Sequence, residues 1–252
     1  MVEARWWHRL GPPFTALVLA LTVGLAPARA AYQGSVYSNY TAFSVCDGTA
    51  DTISTEVRLL ARNAFVYLGY ATTSFDKTGF TKANVLKRNP LDSGVYVHSH
   101  GDFYGSSDIQ GFRDDGGVCA QAIVYATEIK KGRTAPANLV VMSTCHLAEA
   151  SRNSNPAMSD AYGIERLKSD PSGGGYRGPE FFLGYRGIAW TSDQLRFERA
   201  FWGYATSGWN LGDAFKIALA NAALQLGTVP DWFGTYTYSG RPQAPAPCSN
   251  CL

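Results

Sequence analysis

Histidine is scarce in this chain, with four copies in 252 residues, and two of them stand together at His98 and His100. There is no basic run, and aromatic residues are not interleaved with Lys or Arg, so nothing resembles a polyanion binder and no nucleic-acid partner is expected. After residue 30 no apolar stretch is long enough to span a bilayer. No internal repeat is visible.

What is present begins with a leader. Arg5 and Arg9 precede the apolar run "PFTALVLALTVGLA", and "APARA" supplies Ala28-x-Ala30. That is the layout of a secretory signal over 1–30, with cleavage before Ala31 or Tyr32 and no stable membrane insertion afterwards. Removing Arg5, Arg9, Arg29 and Glu3 brings 22 basic and 20 acidic residues to 19 of each, a nearly neutral secreted chain. About 220 residues remain, which suits one sizeable domain over 31–240 and a Pro- and Cys-containing tail over 241–252. All five cysteines survive cleavage into an oxidising compartment. An odd number leaves at least one thiol without an intramolecular partner. Cys46, Cys119, Cys248 and Cys251 form an even set of disulfide candidates with three possible pairings, which leaves Cys145 over.

Helical and strand patterns alternate along the chain. Val57, Leu60, Ala61, Ala64, Phe65 and Leu68 make one stripe of a helix over 53–68, with Gly69 as its stop. Residues 70–75 read as a strand, 81–88 as a short helix, and 95–97 as a buried strand. Residues 120–129 read as a strand or strand-helix segment. "NLVVMSTC", 138–145, is the most continuous apolar run. A strand or hairpin over 180–190 follows, then helices over 192–206 and 211–226, the second capped by Asn210 with Asp213 in its first turn. This order predicts an α/β fold, a three-layer α/β/α sandwich with a mainly parallel central sheet. Sites in such sheets form beyond the carboxyl ends of the strands.

Two buried strands end in reactive residues, one at "HSHGD" and one at "STCHL". A thiol attacks as thiolate, which a nearby imidazole or a helix N-terminus favours, and "HLAEA" after Cys145 has the makings of a helix start. Forty-five residues separate His100 from Cys145, enough for a crossover to a neighbouring strand. His100 would then serve as proton-transfer residue and Cys145 as nucleophile. The backbone N–H groups of Gly101 and Cys145 would hold the oxyanion, glycine leaving room for the substrate carbonyl.

The order of apolar strand then "SHG", and apolar strand then "STC", resembles the caspase/gingipain-type cysteine peptidases. In that group a His-Gly pair and a later Cys each cap a parallel strand of an α/β/α sandwich. "FFLGYRGIAW" and "FERAFWGYATSGWNLGDAFKIALANA" are similar to the strand and helices that follow the Cys in bacterial gingipain-like domains. The resemblance implies a secreted cysteine peptidase-type hydrolase acting on a peptide or protein substrate, with catalytic His100 and Cys145, oxyanion Gly101 and no cofactor. "STCHL" departs from the caspase "QACxG". The resemblance also implies a charged or polar first subsite, for which His146, Asp193 and Asp102 are candidates. Asp114 and Asp115 are further acidic candidates, although Asp193, Asp114 and Asp115 each read more simply as solvated loop carboxylates.

Two other classes compete. "HSHGD" approaches zinc-site patterns, with His98, His100 and His146 as possible ligands. Gly101 stands where zinc-dependent JAMM isopeptidases carry proline, and Phe103 where the metallo-β-lactamase pattern has its next histidine. A catalytically inactive secreted binding domain on the same fold is the third. His98 itself reads as structural, satisfying a strand end.

Overall fold

The computed structural model describes residues 32–40, 42–48, 51–116, 119, 121–172 and 178–244. The expected signal segment, Cys248, Cys251 and most of the expected tail lie outside them.

The chain opens with β1 (Gln33–Ser38), α1 (Asp51–Leu68), β2 (Ala71–Asp76), α2 (Lys82–Arg88) and β3 (Asp92–His98). An antiparallel excursion follows, β4 (Gly101–Tyr104), β5 (Ile109–Arg113) and β6 (Ile123–Tyr125), then α3 (Ala126–Gly132) leading to β7 (Leu139–Ser143). The remainder is α4 (Met158–Ala161), β8 (Phe181–Arg186), α5 (Thr191–Thr206), α6 (Leu211–Asn221) and β9 (Val229–Gly234). The six-stranded sheet has the order β2-β1-β3-β7-β8-β9, and every pairing is parallel except β8 with β9. β4, β5 and β6 form a separate three-stranded sheet.

Strand alternation sorts the core into two layers. Val36, Tyr96, Val141 and Leu183 face one cluster with Ala61, Phe65, Phe197, Phe201 and Phe215 of α1, α5 and α6. Tyr37, Val95, Val97, Val140 and Met142 face the other, with Val85, Ile129 and Met158 of α2, α3 and α4. The sheet is therefore covered on both faces: a three-layer α/β/α sandwich. Double coverage is why β3 and β7 read as continuous apolar runs.

Local signals explain most boundaries. α1 stops where Gly69 takes φ +105°, its N–H returning to Phe65 O at 3.1 Å. Asn210 Oδ1 accepts from Asp213 N at 2.8 Å and caps α6. α6 ends at Asn221, short of 226, because Ala223 turns to φ +45°. The helix expected after Cys145 does not form. His146 takes φ +63°, and the N–H groups of His146 and Ala148 donate to Gly187 O and Tyr185 O, each at 3.0 Å, so the segment runs against the end of β8 instead.

A polar layer lies beneath the carboxyl end of the sheet. Glu198 of α5 is fully buried and accepts from Tyr96 OH at 2.7 Å and Tyr185 OH at 3.3 Å. Burial pushes its carboxyl up to about 7, against the hydrogen bonds from Ser143, Tyr96 and Tyr185. The folded protein thus holds this proton more tightly than the unfolded chain does. The stabilisation is complete below the ordinary carboxyl value of 4.5 and is lost as pH rises through about 7. Glu198→Gln cannot ionise, so its stability relative to wild type should rise by roughly 2 to 3 kcal/mol between pH 5 and pH 8. Urea unfolding across that range measures it, and a pH-independent difference contradicts the assignment.

Candidate functional site

Parallel pairing of β3 with β7 aligns His98 with Ser143. His100 and Cys145 each lie two residues beyond that pair, one on each strand end. Their side chains line a cavity of about 350 Å³. Phe43 and Asp47, from the turn after β1, form one wall, and Ile188 to Thr191 with Gln194, after β8, form the opposite one. The site sits beside the point where the chain reverses direction across the sheet: β1 leads outward to β2, and β3 begins the other half.

His100 is oriented from outside its own strand. Its Nε2 meets Asp47 Oδ2 at 2.6 Å, and its ring packs on Phe43 with centroids 4.6 Å apart. Asp47 follows Cys46, which is bonded to Cys119 across a separation of 73 residues. Closing a loop of that size stabilises the fold by about 4 kcal/mol in the chain-entropy account. The same bond anchors the turn that carries Asp47. Cys145 is a free thiol. Burial pushes it up, while the Ala189 N–H, 3.3 Å from Sγ, pulls the other way without reversing the shift. Among the described residues, no hydrogen bond joins His100 directly to Cys145.

The turn between β3 and β4 is tied at several points. Asn39 donates from its backbone to His98 O at 2.8 Å and from Nδ2 to Ser99 Oγ at 3.2 Å, and Ser99 Oγ donates to Arg113 O at 2.6 Å. Arg113 N donates to His100 O, which makes Gly101 and Phe112 a non-hydrogen-bonded pair and turns the Gly101 N–H away from β5. The reason for glycine differs from the one the sequence suggests. A Cβ on Gly101 would lie 2.6 Å from Cys145 O and 2.9 Å from Thr144 Cβ, so it is the two strand ends that need the space.

Other candidates are placed elsewhere. His98 is fully buried, with Nδ1 3.2 Å from Ser143 Oγ and Nε2 3.4 Å from Ser54 Oγ. Burial, then the charge of His100, lower its pKa to about 3, so it is neutral and structural. His146 does not line the cavity, since its left-handed backbone turns Nδ1 to Glu149 Oε1 at 2.6 Å. His98, His100 and His146 therefore do not converge, and no group of three or more His, Cys, Asp or Glu among the described residues is disposed to hold a metal ion. Asp102 is exposed and accepts from Phe103 N.

Asp193 is buried away from the cavity. Burial pushes its carboxyl up, but hydrogen bonds from Gln225 and Thr228 and the charge of Arg196 overcome this and hold it below the usual range. Asp114 and Asp115 are not solvated carboxylates. Asp114 accepts from the N–H groups of Lys82 and Ala122, and Asp115 from those of Tyr40 and Lys77, both side chains being buried. They hold loops together.

Asp47 is the residue that sequence reasoning missed. It lies 53 residues from His100, and the signal that bears on it is its position next to a cysteine.

No family model matches this chain, and no curated protein matches it. Among solved structures it is similar to protein GSU0716 from Geobacter sulfurreducens, at 10% identity and a TM-score of 0.46 over 82% of this chain and 97% of that one.

Gly101→Ala should cost about 1–3 kcal/mol in urea unfolding, because backbone must move to admit the methyl group. Gly203→Ala, in α5 with open space around its Cβ position, should be neutral or stabilising by up to about 1 kcal/mol. Equal effects would contradict the close approach of the two strand ends.

Proposed function

We propose that this protein is a cysteine peptidase-type hydrolase of the caspase/gingipain kind, with Cys145 as nucleophile and His100 as proton-transfer residue. The observation that carries the reading is that these two side chains, at the ends of adjacent parallel strands, wall one cavity. Three further features support it: the thiol is free, the imidazole has a carboxylate partner, and the Gly101 N–H is turned out of its own sheet.

With Nε2–H donated to Asp47, Nδ1 of His100 is the basic nitrogen. Asp47 is a positioning residue: it fixes that tautomer and stabilises the imidazolium once it forms. A thiol pushed up by burial stays protonated at neutral pH and needs a base at the moment of attack. The Cys145 proton passes to His100 as sulfur bonds to the substrate carbonyl carbon. The N–H groups of Gly101 and Cys145 receive the developing oxyanion. His100 returns the proton to the leaving amine, and water then hydrolyses the thioester with His100 as base.

Among the described residues no helix is long and apolar enough to cross a membrane. Secretion is part of the proposal; the signal-like first thirty residues and the Cys46–Cys119 bond support it.

Cys145→Ala should fold as wild type and lose hydrolysis of a broad peptide library, and His100→Ala should do the same. Asp47→Asn should lower kcat by about 10²-fold or more, with a smaller effect on KM and a displaced pH profile. Retained activity in Cys145→Ala or His100→Ala would end the dyad assignment. An Asp47→Asn profile identical to wild type would remove Asp47 from it.

A further inference from the structure

Asp47 and Phe43 reach the cavity from a turn that the sheets do not hold. It comprises Ala42–Cys46, then Asp47 and Gly48, in the connection from β1 to α1. Among the described residues no backbone hydrogen bond joins it to another segment. Side chains hold it instead. Phe43 is buried and lays its ring on those of His98 and His100, each with centroids 4.6 Å apart. Asp47 Oδ2 meets His100 Nε2 at 2.6 Å, Gln121 Nε2 approaches Cys46 Sγ at 4.0 Å, and Cys46 is bonded to Cys119.

Of these ties the disulfide is the one that chemistry can make and break. Cys119 is exposed and Cys46 half-buried, so a thiolate can reach the bond, and exposed disulfides are the labile, regulatory kind. Its ends lie on different connections, β1 to α1 and β5 to β6, so breaking it detaches one from the other.

We propose that the Cys46–Cys119 bond is a redox switch on the site. Closed, it holds Asp47 against His100; opened by a dithiol, it lets the turn carry Asp47 and Phe43 away. The effect on activity rests on the hydrolase reading above. A thiolate of the dithiol attacks the Cys119 sulfur, the S–S bond breaks, and Cys46 leaves as thiolate and takes up a proton. The second thiol of the reductant then displaces Cys119 from the mixed disulfide. Two electrons and two protons pass to the protein, which ends with two thiols, while the reductant ends as a disulfide. One event thus removes a wall of the cavity and the carboxylate partner of His100. The sign is opposite to that of the nucleophile: Cys145 must be reduced to act, whereas the pair must be oxidised.

The test has two arms. In the first, Cys46→Ser/Cys119→Ser represents the open switch and is assayed on fluorogenic peptides beside wild type, without reductant. Its kcat should fall by about 10²-fold, the loss expected of Asp47→Asn. Adding Asp47→Asn to the double variant should change kcat by less than about twofold, because the carboxylate has already left His100. In the second, Cys145→Ala is treated with dithiothreitol, opening of the bond is verified by alkylation, and the protein is followed by NMR. The His100 ring resonances should move and should return on reoxidation with oxidised glutathione. The methyl resonances of Val141 and Leu183 in the core should stay in place. Unmoved His100 resonances, or a double variant as active as wild type, overturn the switch. An Asp47→Asn loss undiminished in the double variant also overturns it, making the bond a stabiliser alone. So does collapse of the core methyl pattern on reduction, which would show that the bond holds the whole fold. If wild type cleaves no peptide, the hydrolase reading falls and the resonances decide the switch by themselves.

Discussion

The hydrogen-bond register between β3 and β7 is the constraint on which the site depends. Parallel pairing fixes His98 opposite Ser143, and a shift by one residue would turn every following side chain to the other face of the sheet. That register is locked by burial rather than by polar contacts. Tyr96 and Val141 must face α1 and α5, while Val95, Val97, Val140 and Met142 face the opposite helices. Once the apolar alternation is satisfied, His100 and Cys145 follow at equal distances past the last aligned pair. Gly101 then lets the chain leave β3 against the Cys145 carbonyl.

Around this fixed pair the site is assembled from distant segments. The turn after β1 brings Asp47 and Phe43, and the Cys46–Cys119 bond anchors that turn to the excursion between β3 and β7. The stretch after β8 brings Ala189, whose N–H points at the sulfur, and Gln194. Beneath them the polar layer of His98, Ser143, Ser54 and Glu198 fills the end of the sheet with side chains that are buried and mutually bonded. His98 is neutral there because burial disfavours its charge. Two histidines two residues apart thus take different parts: one supports the strand end, and the other faces the cavity.

Elements with a strong local pattern were legible in the sequence. The α1 stripe, the α6 cap at Asn210 and the apolar runs of β3 and β7 announce themselves, and they suffice for the α/β/α architecture. β1 escaped because "QGSVYS" has no apolar run. It is an interior strand of the sheet, yet Gly34 is small there because Tyr70 and Phe65 crowd it, a fact of tertiary packing. β4 and β5 escaped because a four-residue strand and a polar turn carry little periodicity. The helix expected from "HLAEA" lost to hydrogen bonds with β8, which no local propensity reports. At the site, His100 and Cys145 were readable as strand ends. Asp47 was not, because a disulfide and a turn set its place. The acidic candidates Asp193, Asp114 and Asp115 were misplaced because each is consumed in holding backbone N–H groups.

The most direct measurement is the crystal structure of the protein after reaction with a peptidyl ketone electrophile. The account predicts a covalent bond to Cys145 Sγ, the ligand carbonyl oxygen within hydrogen-bond distance of the Gly101 N–H, and the His100 imidazole beside the bonded sulfur, still held by Asp47. A ligand bonded to another residue, or a Cys145 sulfur already joined to Cys248 or Cys251, would contradict it.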